Sequence, residues 1–271
     1  MATVVELRYY PVKGCAGVVA EQAELTRAGL AHDRSFMVVD AKGVFRSQRR
    51  DRPLATVRPT VLGGDRLALA APGVEPVEFA VDTEGPRCEV RMFDTPYAAV
   101  DQGEEAAGWL SEVLGAPSRL VRVPPEHDRV TDGLTPGTSG FADSSAVHLL
   151  SRSSLDDFNA RSDGAPLPVD RFRPNLVVDG WPEPHTEDLL RRFTVGGAEL
   201  GYTKLAIRCA VTLVDQSTGA KAGPEPLRTL ARYRRAAAGG VAFGSKFAVV
   251  RPGTLRVGDE VAVSAWGPSE L

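Results

Sequence analysis

The sequence predicts a mainly β protein with a few helices, an α+β chain whose first hundred residues form a barrel or sandwich. Three observations carry this expectation. Short apolar or alternating runs recur through residues 1–100, separated by Gly, Pro and Asp turns. Only three stretches, 104–114, 151–161 and 226–235, read as helices. A hydrophobic content of 43% over 271 residues supports a real core in one large or two small domains. We place the division between 1–120 and 121–271.

The strands come first. Val4–Val12 alternates weakly, and Arg34–Val39 is apolar enough to be buried. Asp40-Ala-Lys-Gly43 is a turn in which glycine supplies positive φ, and Val44–Gln48 is its return strand. Gly63-Gly64 and Ala71-Pro-Gly73 punctuate further hairpins, and two β segments flank Thr95-Pro96. Helix 104–114 has Ala107, Leu110, Val113 and Leu114 as its apolar stripe and Gly115 as its stop. Strand 119–123 follows.

The Pro-, Gly- and Asp-rich stretch 124–140 is a long loop, of a length that often carries function. Strand 146–150 leads into helix 151–161, capped by Ser151 or Ser153. Residues 175–178 are a buried strand, and 193–205 a hairpin through Gly196-Gly197. Helix 226–235 carries Leu227, Leu230 and Tyr233 on one side and runs into a mobile linker, 236–240. Strands 246–250 and 260–266 close the chain.

Composition excludes several functions. A net charge of −3 argues against a general nucleic-acid binder. No basic region precedes an apolar core at the N-terminus, and no run of about 18 apolar residues forms a membrane segment. Three cysteines without a CxxC pair fit no disulfide framework and no zinc ribbon, and point to the reducing cytoplasm. The histidines lack partners at metal-ligand spacing, with His148 read as a satisfied core residue, and GxGxxG, P-loop and GxSxG are all absent.

Cys209 is the most informative residue. It sits in Leu205–Gly219, a β-rich run that opens into a turn, directly after Arg208. A thiolate beside fixed cations is a nucleophile or a soft-metal ligand; a cysteine in an apolar strand is otherwise a buried small hydrophobe. In a regular strand Arg208 faces away from Cys209. Arg171, Arg173 and Asn175 share one face if 171–175 is extended, placing two guanidiniums and an amide in a row suited to an anion. Lys13-Gly14 offers an ammonium and free N–H groups at a turn. Arg34 follows Asp33 and either pairs with it or turns inward. Ser144 and Ser145 bring adjacent hydroxyls to a strand entry.

In this order these residues resemble the MOSC family, the molybdenum cofactor sulfurase C-terminal domain proteins, and within it the two-part members related to the mitochondrial amidoxime-reducing component. The matches are Pro11-Val-Lys13, Asp33-Arg34, Ser144-Ser145, Phe172-Arg-Pro-Asn175, Arg208-Cys209, Thr212, Asp215, Thr218-Gly219 and Arg251–Asp259. The resemblance implies an N-terminal β-barrel domain packed on a MOSC β-barrel domain. It implies a molybdenum cofactor of the molybdopterin type, which a recombinant preparation can lack, with Cys209 as metal ligand and catalytic residue. Lys13, Arg34, Ser144, Ser145, Arg173 and Asn175 match positions that hold the pterin and its phosphate, and we place Arg171, Arg208 and Thr212 with them.

There are departures. Lys13 is followed by Gly14 where relatives often carry serine, and Ala206-Ile207 stand where some carry a second cysteine. The chain ends at Leu271 without the cysteine-rich ferredoxin domain of some relatives, so electrons are expected from a separate electron-transfer protein. The expected activity is reduction of small N-oxygenated substrates. Two alternatives stand beside it: a sulfur carrier using a Cys209 persulfide, and a non-enzymatic protein that binds or delivers the cofactor.

Overall fold

The computed structural model describes all of residues 1–271. It is mainly β, with three α-helices: α1 (Gly103–Leu114), α2 (Arg152–Arg161) and α3 (Leu227–Tyr233). The largest sheet has eight strands in the order 262–266, 190–195, 198–208, 241–251, 147–151, 176–179, 3–9 and 18–20. Its one parallel pair joins 147–151 to 176–179, and the crossover this pairing requires contains α2. The Ser151 hydroxyl accepts from the Ser154 N–H and caps α2.

A second sheet has five strands, in the order 87–92, 95–101, 118–122, 36–40 and 12–13. Strands 58–62, 66–71 and 74–80 form a separate meander. The first thirty residues divide between the two halves of the chain. Strand 3–9 pairs with 176–179 and 22–26 pairs with 253–256, while Val12-Lys13 pairs with Phe36-Met37. The backbone thus passes from one sheet to the other at residues 10–12, and Lys13 stands at the seam.

Alternation across the strands sorts side chains into separate cores. Leu149 joins a 20-residue cluster under the large sheet, whereas Leu150 joins Leu155, Phe158, Phe172, Leu230 and Phe243 beneath α2 and α3. Phe36 and Val38 face α1, and Met37 and Val39 face Val90, Met92 and Phe141. A strand buried on both faces reads as one continuous apolar run, which is why Phe36-Met-Val-Val39 is recognisable in the sequence. In α1, Gly115 adopts φ 65° and donates back to the Glu112 carbonyl, stopping the helix where expected.

Three local expectations are corrected. Residues 44–48 do not form a return strand; only Val44 and Phe45 make isolated bridges, and the segment continues as a loop. Residues 171–175 are not extended: 169–172 is a 3₁₀ turn and Arg173 is left-handed, φ 56°. Segment 236–240 is no linker but a closed turn, in which the Ala236 N–H donates to the Gly240 carbonyl and the Gly239 N–H to the Ala236 carbonyl.

Candidate functional site

Strand 198–208 ends at Arg208 because the chain turns at Cys209 into a 3₁₀ turn, Ala210–Leu213. The Thr212 N–H and hydroxyl both donate to the Cys209 carbonyl, at 3.0 and 2.9 Å, so Thr212 holds the turn. Strand alternation therefore stops one residue short of the cysteine. Arg208 and Cys209 line the same pocket, contrary to the opposite-face expectation. Cys209 is half-buried rather than enclosed in hydrocarbon. Arg49 lines the same pocket, and the nearby Cys209 thiol raises its pKa. Arg208 is anchored through Nη2 to the Phe172 carbonyl at 2.7 Å, and burial pushes it down to about 10.

The residues expected on one strand face have three separate fates. Arg171 turns away from the pocket and pairs with Asp215 at 3.2 Å. Arg173 enters the pocket because its left-handed backbone reverses the chain before Pro174. It packs over the Tyr10 ring at 4.3 Å, and its Nη1 donates to Gln216 Oε1 at 3.1 Å. Asn175 is a hub: its amide donates to the Arg8 carbonyl and Asp33 Oδ1, and its oxygen accepts from the His148 N–H and Arg34. Both donors and both lone pairs are used, so Asn175 positions its neighbours.

Arg34 is the inward arginine. It is also left-handed, φ 47°; its Nη1 donates to both Asp33 oxygens at 2.8 and 2.6 Å, and it packs over the same Tyr10 ring at 4.2 Å. Lys13 donates to the Phe141 carbonyl at 2.9 Å and pairs with Asp143. Crowding by the pocket wall works against the Asp143 anion, although its side chain is half exposed, and the ammonium groups of Lys13 and Lys246 hold its carboxyl well below the usual range. Lys246 donates to the Ser144 hydroxyl at 2.6 Å, and burial brings it down to about 8. Ser144 therefore stands behind Lys246 and outside the pocket wall, whereas Ser145 lines the pocket with its hydroxyl buried and unpartnered. His148 also lines the pocket, buried and kept neutral by desolvation.

The cleft encloses about 930 Å³ including its open mouth, and seven cations line it against one carboxylate, Asp143. In a chain of net charge −3 this is a local excess that focuses a positive potential on the cleft. Two comparisons with known proteins bear on it. The model of the MOSC N-terminal beta barrel domain matches residues 1–117, and that of the MOSC domain matches 136–262. The chain is 33% identical to mitochondrial amidoxime reducing component 2 of Rattus norvegicus, over 96% of this chain and 83% of that protein. The chain belongs to the MOSC family. It is 31% identical to mitochondrial amidoxime-reducing component 1 of Homo sapiens, over 96% of this chain and 82% of that protein. It is also 32% identical to molybdenum cofactor sulfurase of Danio rerio, over 89% of this chain but only 31% of that longer protein.

Several lining residues of this MOSC protein escaped the sequence reading. Arg46, Gln48 and Arg49 come from the loop taken for a return strand. Gln48 exchanges amide bonds with Gln216 at 3.0 and 2.9 Å and ties that loop to the segment after Cys209. The density of cations in Arg46-Ser-Gln-Arg-Arg50 was the available signal. Lys246 had another, a lone charge inside the apolar run 241–250. Phe93 had none. No helix is long and apolar enough to cross a membrane.

Proposed function

We propose that the protein is a molybdenum-cofactor-dependent reductase of small N-hydroxylated compounds, with Cys209 as the metal's protein ligand. The observation that carries the reading is a half-buried thiol, faced by Arg49, in a pocket with seven cations and one carboxylate. A thiolate suits a soft metal, and a cationic wall suits an anionic pterin and its phosphate. The residues fit the group at two further atoms: Ser145 Oγ and Arg208 Nε are buried without any protein partner. Buried polar atoms are rarely left unpaired, so both are candidates to donate to a bound anion. The relatives named as amidoxime-reducing components support the substrate class.

When bound, the cofactor supplies the two-electron reduction of the N–O bond, with electrons from a separate donor protein. The overall change converts N–OH to N–H and releases water, consuming two electrons and two protons. In this assignment Lys13, Arg34, Arg173 and Arg208 hold the anionic group, and Asn175, Ser144 and Thr212 fix the elements that carry them. Asp33 and the Tyr10 ring hold Arg34 in place. Lys246, with its pKa brought to about 8, stays charged at neutral pH yet yields a proton more readily than an exposed lysine, which suits it to proton delivery.

Cys209→Ser and Cys209→Ala test the assignment. Both are expected to lose bound molybdenum and reduction of an amidoxime such as benzamidoxime; a metal-loaded variant with full turnover overturns it. A second reading, sulfur carriage on Cys209, is favoured by the likeness to a cofactor sulfurase. Intact mass of the purified protein separates the two: one added sulfur on Cys209 supports carriage, and molybdenum with released pterin supports the reductase.

A further inference from the structure

The hairpin of strands 87–92 and 95–101 closes through two residues, Phe93 at φ 52° and Asp94 at φ 62°. Two successive left-handed positions match a type I′ turn, for which Asn-Gly and Asp-Gly are the favoured pairs. A bulky phenylalanine is an outlier on that backbone. Such strain persists where the surroundings impose it, and it concentrates at functional sites.

Phe93 is 38% exposed yet belongs to the wall of the Cys209 pocket. It meets Phe45 edge-on, with centroids 4.8 Å apart. The Lys13 ammonium lies 5.4 Å from its centroid, and the Arg49 guanidinium, which lines the same pocket as Cys209, lies 5.9 Å away. Lys13 already has the Phe141 carbonyl and Asp143, so it does not depend on Phe93 for a partner. Ile207, two residues before Cys209, lines the same pocket and is 42% exposed. Exposed apolar surface in an otherwise cationic wall is what a ligand with a flat apolar body would cover.

We infer that Phe93 and Phe45 form an aromatic lip that takes the ring of an aryl N-hydroxy substrate, so that arylamidoximes are preferred over small aliphatic ones. The inference rests on the proposed reductase function and assigns its specificity. Phe93 is a specificity residue here, and its contribution is ring contact of the size usual for aromatic pairs.

The test is calorimetric titration of the molybdenum-loaded protein with benzamidoxime and with acetamidoxime, without an electron donor. Wild type is expected to bind benzamidoxime about tenfold more tightly, the scale of one good aromatic contact. Phe93→Asn keeps a residue tolerant of the left-handed turn and removes the ring. It is expected to narrow the preference to below about threefold, at unchanged metal content. No preference in wild type, a preference kept by Phe93→Asn, or one lost only in step with molybdenum overturns the lip. Binding is read without turnover, so failure to reduce either oxime counts against the reductase reading alone.

Discussion

The protein buries ionisable groups in two places, and they are built in opposite ways. Beneath α2 and α3, Glu187 and Asp188 lie almost wholly out of water. Every carboxylate oxygen there has a partner. Glu187 accepts from the Ser151 N–H and from the Ser151 and Ser154 hydroxyls, at 3.2, 2.8 and 3.0 Å. Asp188 accepts from Ser245 at 2.9 Å and from Arg234 at 2.5 Å, and Arg234 also donates to the Ala242 carbonyl. In the Cys209 pocket, cations outnumber carboxylates seven to one. A buried network that serves the fold closes on itself, because each unpaired group costs free energy. A wall that stays unbalanced and open suits an anionic group from solution, as the proposed function requires.

The largest expected effect is on the closed cluster. Asp188→Ala leaves the Arg234 guanidinium buried without its carboxylate, which costs about 3–5 kcal/mol. Urea unfolding of the purified variant reads this directly. A loss below about 1 kcal/mol, the range of exposed pairs, would mean that the cluster is wetter than its burial indicates. Neutralising a pocket cation in the ligand-free protein is expected to cost far less, since it relieves repulsion among the remaining cations.

The second prediction uses pH, to which the two regions respond with opposite sign. Burial raises Glu187, and its neighbour Asp188 raises it further, so the fold favours the protonated acid. The stability this contributes is present at low pH and fades as pH climbs above the ordinary carboxylate range. Lys246 is lowered from 10.5 to about 8 by burial, so the fold favours its neutral form. Its charge destabilises the fold below pH 8, and that penalty is relieved as pH rises from about 8 to 10.5. Wild type should therefore gain on Lys246→Met across that window in urea unfolding of ligand-free protein. Parallel curves would remove the burial cost, and with it the argument that Lys246 gives up its proton readily.

The same contrast explains what the sequence made legible. Closed, locally built features were readable: the two-sided strand 36–39, the Ser151 cap and the Gly115 stop each depend on residues within a few positions. The arginine motif was read on the wrong backbone. A strand would have aligned Arg171, Arg173 and Asn175, but the left-handed Arg173 ahead of Pro174 sends them to a distant ion pair, the pocket and a hub. Lys13, Arg34 and Cys209 meet because the first strands pair with 176–179 and 253–256, far along the chain, a long-range fact that local pattern does not encode. Their resemblance to MOSC motifs carried that information. Arg49 was lost because apolar Val44 and Phe45 suggested a strand where the chain makes a loop.

The smallest effect falls on the thiols, where the comparison can be read at single atoms. Cys15 lies in the closed core, wholly buried, and burial pushes it up to about 12. Cys209 is half-buried at the pocket with Arg49 nearby. Reactivity follows access and a nearby cation. Iodoacetamide at neutral pH should therefore label Cys209 in the folded, cofactor-free protein and reach Cys15 only after unfolding, as peptide mapping will show. Arg49 is exposed, so Arg49→Ala should change stability by no more than about 0.5 kcal/mol. It should nevertheless slow Cys209 alkylation a few-fold, because the sulfur loses the cation that faces it. Equal rates in wild type and Arg49→Ala would leave Arg49 a bystander to the thiol, and would shift the work of supporting Cys209 to the half-buried Arg208 alone.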